Sequence, residues 1–121
     1  MKLVKKTISV EIETWAGTED PEKGIFEGGV PDPERLDELA IETSEDEVFD
    51  LQLDEFVPTG KVQLHLRGSA RAYFALARYL LALCQLETQD PDYHAHFEIP
   101  SPDGKPLIHL IVHAPKKGAP R

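Results

Sequence analysis

The chain has a single cysteine, Cys84, in 121 residues. One thiol cannot close an internal disulfide, so stability has to come from packing. Cys84 falls among apolar neighbours on a predicted helix, which reads as a buried, inert thiol in a reducing cytosol. No run of about 18 apolar residues occurs, which excludes a membrane-spanning helix. Met1 to Lys6 starts basic but lacks the apolar middle of a secretion signal. Gly-x-Ser-x-Gly and a phosphate-cradling loop are both missing, and Gly28-Gly29 lacks the residues that would make one. Positive charge is scarce: 13 Lys and Arg stand against 22 Asp and Glu, a net charge of −9. With no basic patch interleaved with aromatics, nucleic acid is excluded as a partner, because its phosphates would be repelled.

The composition that remains, 40% hydrophobic and 29% charged, is that of a soluble globular protein. Its length allows one domain and one core. The acids crowd into the first half, where residues 1–60 carry 17 of them against 5 Lys and Arg. Such a field would steer a basic protein partner, and it also serves solubility alone.

Four of the five histidines lie in one C-terminal stretch. It reads Tyr93-His94-Ala95-His96-Phe97-Glu98-Ile99-Pro100, a turn Ser101-Pro102-Asp103-Gly104, then Lys105-Pro106-Leu107-Ile108-His109-Leu110-Ile111-Val112-His113. Both arms alternate, which predicts a hairpin of two half-buried strands. Ala95, Phe97 and Ile99 take one side, as do Ile108, Leu110 and Val112; the histidines and Glu98 take the other. Keeping Phe97 and Ile108 over the same core pairs His96 with His109, their Cβ atoms roughly 5 Å apart. A glycine bulge at the turn would slip the register by one and bury histidine, which the hydrophobic pattern opposes.

Upstream, residues 2–14 alternate as a strand, with Val4, Ile8, Val10 and Ile12 on one side. Residues 17–33 read as a loop rich in Gly, Pro and acids. Pro33 to Ala40 predicts a short helix capped by Asp32, with Pro33 at its first position. Glu45-Asp46-Glu47 is a solvated charge cluster. Phe49, Leu51 and Leu53 form a short strand, and Pro58-Thr59-Gly60 a turn. Lys61 to Arg67 is a strand with Val62, Leu64 and Leu66 facing the core. Ser69 caps a helix from Ala70 to about Leu86, whose apolar stripe is Phe74, Ala77, Leu81 and Cys84, broadened by Tyr73, Leu76, Leu80 and Leu83. The order predicts an α+β fold, a mainly antiparallel sheet with one long helix packed on one face. The single domain spans 1–113, and 114–121 is a basic, flexible tail.

Two site chemistries follow. His94 and His96 at i and i+2, joined by His109 from the next strand, supply three imidazoles for an open zinc site, with Glu98 as a fourth ligand or an acceptor behind them. His113 lies about 13 Å beyond His109 along the strand, outside that set. Solvated surface histidines account for the same pattern. The other chemistry is protein binding. An open sheet face carrying Trp15, His65, Arg67, His94, His96 and His109, with Gln63, would be amphipathic and rich in good anchors. A catalytic nucleophile or carboxylate pair finds no support: Ser69 is explained by capping, and the acidic pairs by solvation.

Residues 60–113 also resemble the small bacterial immunity proteins that neutralise polymorphic toxins, in particular their thirty-second family. The residues that carry the likeness are Val62-Gln63-Leu64-His65-Leu66-Arg67-Gly68-Ser69 leading into an Ala/Leu-rich helix, then His94-Ala95-His96-Phe97-Glu98, then the strand Leu107 to Val112. The resemblance implies a non-enzymatic cytoplasmic inhibitor that binds one toxin, its acidic surface occupying a basic toxin domain. The alternative is a metal-dependent enzyme, most simply a hydrolase, using zinc on His94, His96 and His109. A second copy of the chain is a further candidate partner.

Overall fold

A computed structural model describes residues 1–104 and 107–116. It is an α+β fold of strands β1 (Glu19–Asp20), β2 (Ile25–Phe26), β3 (Leu39–Asp50) and β4 (Glu55–Gly68), one helix α1 (Ala70–Gln85), and strands β5 (His94–Ile99) and β6 (Ile108–His113). Among the described residues the strands form three separate two-stranded antiparallel sheets, β1–β2, β3–β4 and β5–β6, rather than the one sheet expected. The chain divides into two compact units. Of the described residues, one comprises 1–34, 74–94 and 113–116; the other comprises 35–73, 95–104 and 107–112. Lys105, Pro106 and the expected flexible tail from residue 117 onward lie outside the described residues.

In the first unit the buried apolar residues are Val30, Tyr79, Ala82 and Leu83. The Val30 amide donates to the Tyr93 hydroxyl at 2.9 Å, and Trp15 and Gly29 exchange backbone hydrogen bonds of 2.7 and 3.2 Å. A Cβ on Gly29 would meet that same Tyr93 hydroxyl at 3.1 Å, so the bare backbone lets the ring close over it. Residues 2–14 do not form the expected strand: nothing among the described residues pairs with them, and Leu3, Val4, Ile8 and Ile12 stay exposed. Alternation supplies a face, but a strand also needs a neighbour to take its amides and carbonyls. Arg78 ties this segment to α1 by donating to the Glu11 carbonyl at 3.0 Å.

In the second unit Leu39, Ile41, Ala72, Phe97 and Ile99 are the buried apolar residues. The helix expected over residues 33–40 is replaced by a 3-10 turn, Leu36–Glu38, preceded by Arg35 at φ 61° and without a side-chain cap. Asp32 therefore caps nothing there. Leu39 and Ile41 enter β3 instead, opposite Gly68 and Leu66 of β4. An eight-residue helix has little stability of its own, and the ladder with β4 outweighs it. Gly68 permits this start: a Cβ there would sit 2.7 Å from the Leu39 side chain and 3.1 Å from the Glu38 carbonyl. The Ile41 amide donates to the Pro100 carbonyl at 3.0 Å.

Strand β3 runs through the acidic cluster to Asp50, so the short strand expected over Phe49 to Leu53 is cut. Leu51 to Asp54 form the turn, with the Asp50 carboxylate accepting from the amides of Gln52 (2.8 Å) and Leu53 (3.2 Å). Such a carboxylate mimics a backbone turn and nucleates the reversal. Pro58-Thr59-Gly60 is not a chain reversal. It lies within β4 opposite an irregularity between Glu45 and Glu47, with Gly60 at φ 83° supplying the left-handed residue the kink requires. Helix α1 starts as expected, the Ala72 amide donating to Ser69 Oγ at 3.1 Å. Its buried residues, however, are Ala72, Tyr79, Ala82 and Leu83, while Phe74, Leu81 and Cys84 are exposed. The covered stripe is displaced by two positions, about 200° around the helix, from the one expected.

Candidate functional site

The β3–β4 ribbon is the least conventional part of the molecule. Not one residue between Ile41 and Ala72 is buried. Val62, Leu64 and Leu66, expected to face the core, are 72%, 65% and 40% exposed. Their cross-strand neighbours on that face are Glu45, Thr43 and Ile41. Beyond the kink Phe49 and Phe56 pair edge to face at 5.3 Å between ring centroids, and both are exposed, as are Val48, Leu51 and Leu53. Seven carboxylates and only two cations, Lys61 and Arg67, border these apolar groups over residues 42–67. Exposed apolar groups rimmed by charge mark an interaction surface. Beyond its buried start at Leu39 and Ile41 the two-stranded ribbon has no buried residue on either face, and such a ribbon is marginal in water by itself.

Cross-strand polar contacts set the ribbon's register. Arg67 pairs with Glu42 at 3.1 Å, and Ser44 lies 3.3 Å from Gln63 Oε1 and 3.4 Å from His65 Nε2. At the kink Asp46 accepts from Thr59 Oγ1 and from Gln63 Nε2, both at 2.8 Å, and these bonds hold its carboxyl below the usual range. Where β3 begins, Glu38 collects three donors: Arg71 Nε at 2.7 Å, Ser69 Oγ at 2.7 Å and Arg35 Nη1 at 3.1 Å. Arg71 first, then Ser69 and Arg35, pull its carboxyl down to about 2. Sequence reasoning missed this cluster, because Arg71 and Ser69 lie more than 30 residues from Glu38 in the chain.

The histidine hairpin forms as expected. Phe97 and Ile99 are buried, and His94, His96 and Glu98 are exposed on β5; on β6 His109, Ile111 and His113 are exposed. His96 Nδ1 and His109 Nε2 are 2.9 Å apart, with ring centroids at 5.0 Å, so the two imidazoles share one side of the ribbon. His94 sits against His113, the histidine left out of the expected set, at 5.3 Å between centroids. Its Nδ1 donates to the Asp92 carbonyl at 2.7 Å. Among the described residues no group of three or more His, Cys, Asp or Glu is placed to hold a metal ion.

The six residues expected to share one protein-binding face are thus distributed over three places. His96 and His109 meet on β5–β6, where His94 also lies, while His65 and Arg67 belong to the separate β3–β4 ribbon. Trp15, 62% exposed, bridges to Gly29. In the first unit Ile12, Val30, Asp32, Glu34, Arg78 and Tyr79 border a cavity of about 100 Å³. That is well short of the roughly 300 Å³ at which small-molecule sites begin. Burial, then the neighbouring Tyr93 and Asp32, push the Tyr79 hydroxyl up to about 12. No helix among the described residues is long and apolar enough to cross a membrane. No family model matches the chain, and no curated protein or solved structure matches it either.

Proposed function

We propose that the chain is a non-enzymatic protein-binding module of the cytoplasm and that the β3–β4 ribbon is its docking surface. One observation carries the reading: none of residues 42–71 is buried, and Val62, Leu64, Phe49 and Phe56 are open to water. Burying such groups against a partner contributes affinity that the free chain cannot gain from them. The carboxylates around them select a partner with a basic surface and would speed its encounter. The resemblance over residues 60–113 gives this role its specific form: immunity, in which the ribbon occupies a basic toxin domain.

Co-expression with a toxin gene from the same locus tests it. The chain should restore growth, and a Val62→Asp/Leu64→Asp variant should fold but fail to protect. A wild-type chain that does not rescue growth would remove the immunity reading. A double variant that protects fully would remove the ribbon from it.

A further inference from the structure

The two rings of His96 and His109 face each other from adjacent strands, with Nδ1 of one 2.9 Å from Nε2 of the other. Both residues are exposed, and each is held in position by buried neighbours on β5 or half-buried ones on β6. Cross-strand partners on a paired ribbon have little freedom to drift apart. An imidazole nitrogen binds a metal ion at about 2.0–2.1 Å, so two of them in a tetrahedral shell stand about 3.3 Å apart. The pair therefore needs to open by only a few tenths of an ångström, a displacement small side-chain rotations provide. Of the two facing nitrogens, one donates and one accepts. To chelate, the donor imidazole moves its proton to its other ring nitrogen, which leaves two lone pairs converging on one point and keeps both rings neutral.

We propose that His96 and His109 form a two-imidazole chelate for a divalent first-row transition-metal ion, with water completing its coordination shell. Nitrogen donors of this kind favour copper over nickel and zinc. Glu98 is exposed two residues along β5, on the same side of the strand as His96. His94 takes no part: its Nδ1 proton is committed to the Asp92 carbonyl and its ring lies against His113. Protons compete for the same lone pairs, so the ion is released in acid. The inference is independent of the docking role of the β3–β4 ribbon.

The test is a zinc titration of the full chain carrying no histidine tag, followed through the NMR signals of the five imidazoles. The expected result is saturation at one equivalent, at micromolar zinc, with the His96 and His109 signals moving most. His96→Ala and His109→Ala should each weaken binding by more than about tenfold. His94→Ala should leave it unchanged, and circular dichroism checks that every variant is folded. The proposal is overturned if zinc does not bind, if all five histidines respond alike, or if His94→Ala costs as much as His96→Ala. The last result would restore the three-histidine set.

Discussion

Leu39 of β3 and Leu64 of β4 are both strand leucines in one antiparallel ribbon. In the structure Leu39 is 2% exposed and Leu64 is 65% exposed. The pair of substitutions Leu39→Ala and Leu64→Ala measures that difference directly. At Leu39 the truncation removes buried methyl groups and leaves a void, which costs about 2–5 kcal/mol. At Leu64 two-thirds of the residue is already in water. Removing a group worth about 2.4 kcal/mol when fully buried then forfeits only a third of it, about 0.8 kcal/mol. For a chain of this size one kcal/mol moves the melting temperature by about 4 °C. Leu39→Ala should therefore melt about 8–20 °C below wild type, and Leu64→Ala about 3 °C below. Differential scanning calorimetry at two protein concentrations gives both shifts. Equal losses at the two positions would refute the exposure of the ribbon. A Leu64→Ala deficit that changes with protein concentration would instead place a second copy of the chain on it.

Three further outcomes follow from single residues. Glu38 has its carboxyl lowered to about 2 in the folded chain, so its contribution is present above the unfolded carboxylate range and is lost as pH falls from about 4.5 toward 2; in Glu38→Gln the acid limb of the melting curve over that window should flatten, and an unchanged limb would argue against the three-donor cluster. Ser69→Ala removes both the helix cap and one of Glu38's donors, and denaturant unfolding should show a loss of about 1–2 kcal/mol. Tyr79 is raised, so the folded state favours its neutral form: the stability it contributes is intact below pH 10 and lost as pH climbs toward 12. A tyrosinate absorbance step near pH 12 should vanish in Tyr79→Phe, and a step that survives would belong to another residue.

What could be read from the sequence was whatever depends on near neighbours. The hairpin from His94 to His113 was legible because its two arms alternate in phase, and a one-residue slip would have exchanged Phe97 and Ile99 for histidines. Ser69 was legible because capping is settled within three residues. Alternation shows that a strand has two faces but not that either is covered, and so Val62, Leu64 and Leu66 were assigned to a core they do not join. Helix α1 is apolar almost all round. Helical spacing marks a stripe through Phe74, Ala77, Leu81 and Cys84 with Leu83 at its edge; of that set only Leu83 is buried, beside Ala72, Tyr79 and Ala82. Leu39 was drawn into a helix by the local Asp-Pro pattern, while its strand pairing with Gly68 spans 29 positions of chain. The carboxylate hub at Glu38 depends on Ser69 and Arg71, which follow β4 and reach Glu38 only because Gly68 pairs with Leu39. In the candidate site, alternation placed His96 and His109 on one side of the ribbon, where their rings meet; the pairing of His94 with His113 was missed because His113 was set aside on its distance from His109 along one strand, which says nothing about its neighbour across the ribbon.

The proposed docking role of β3–β4 is tested most directly by amide hydrogen exchange of the full chain, free and in the presence of the basic toxin domain proposed as its partner. The account predicts slowed exchange across residues 42–67 on binding, with little change on β5–β6. Protection that appears elsewhere and leaves Val62 to Arg67 exchanging as in the free chain would contradict it.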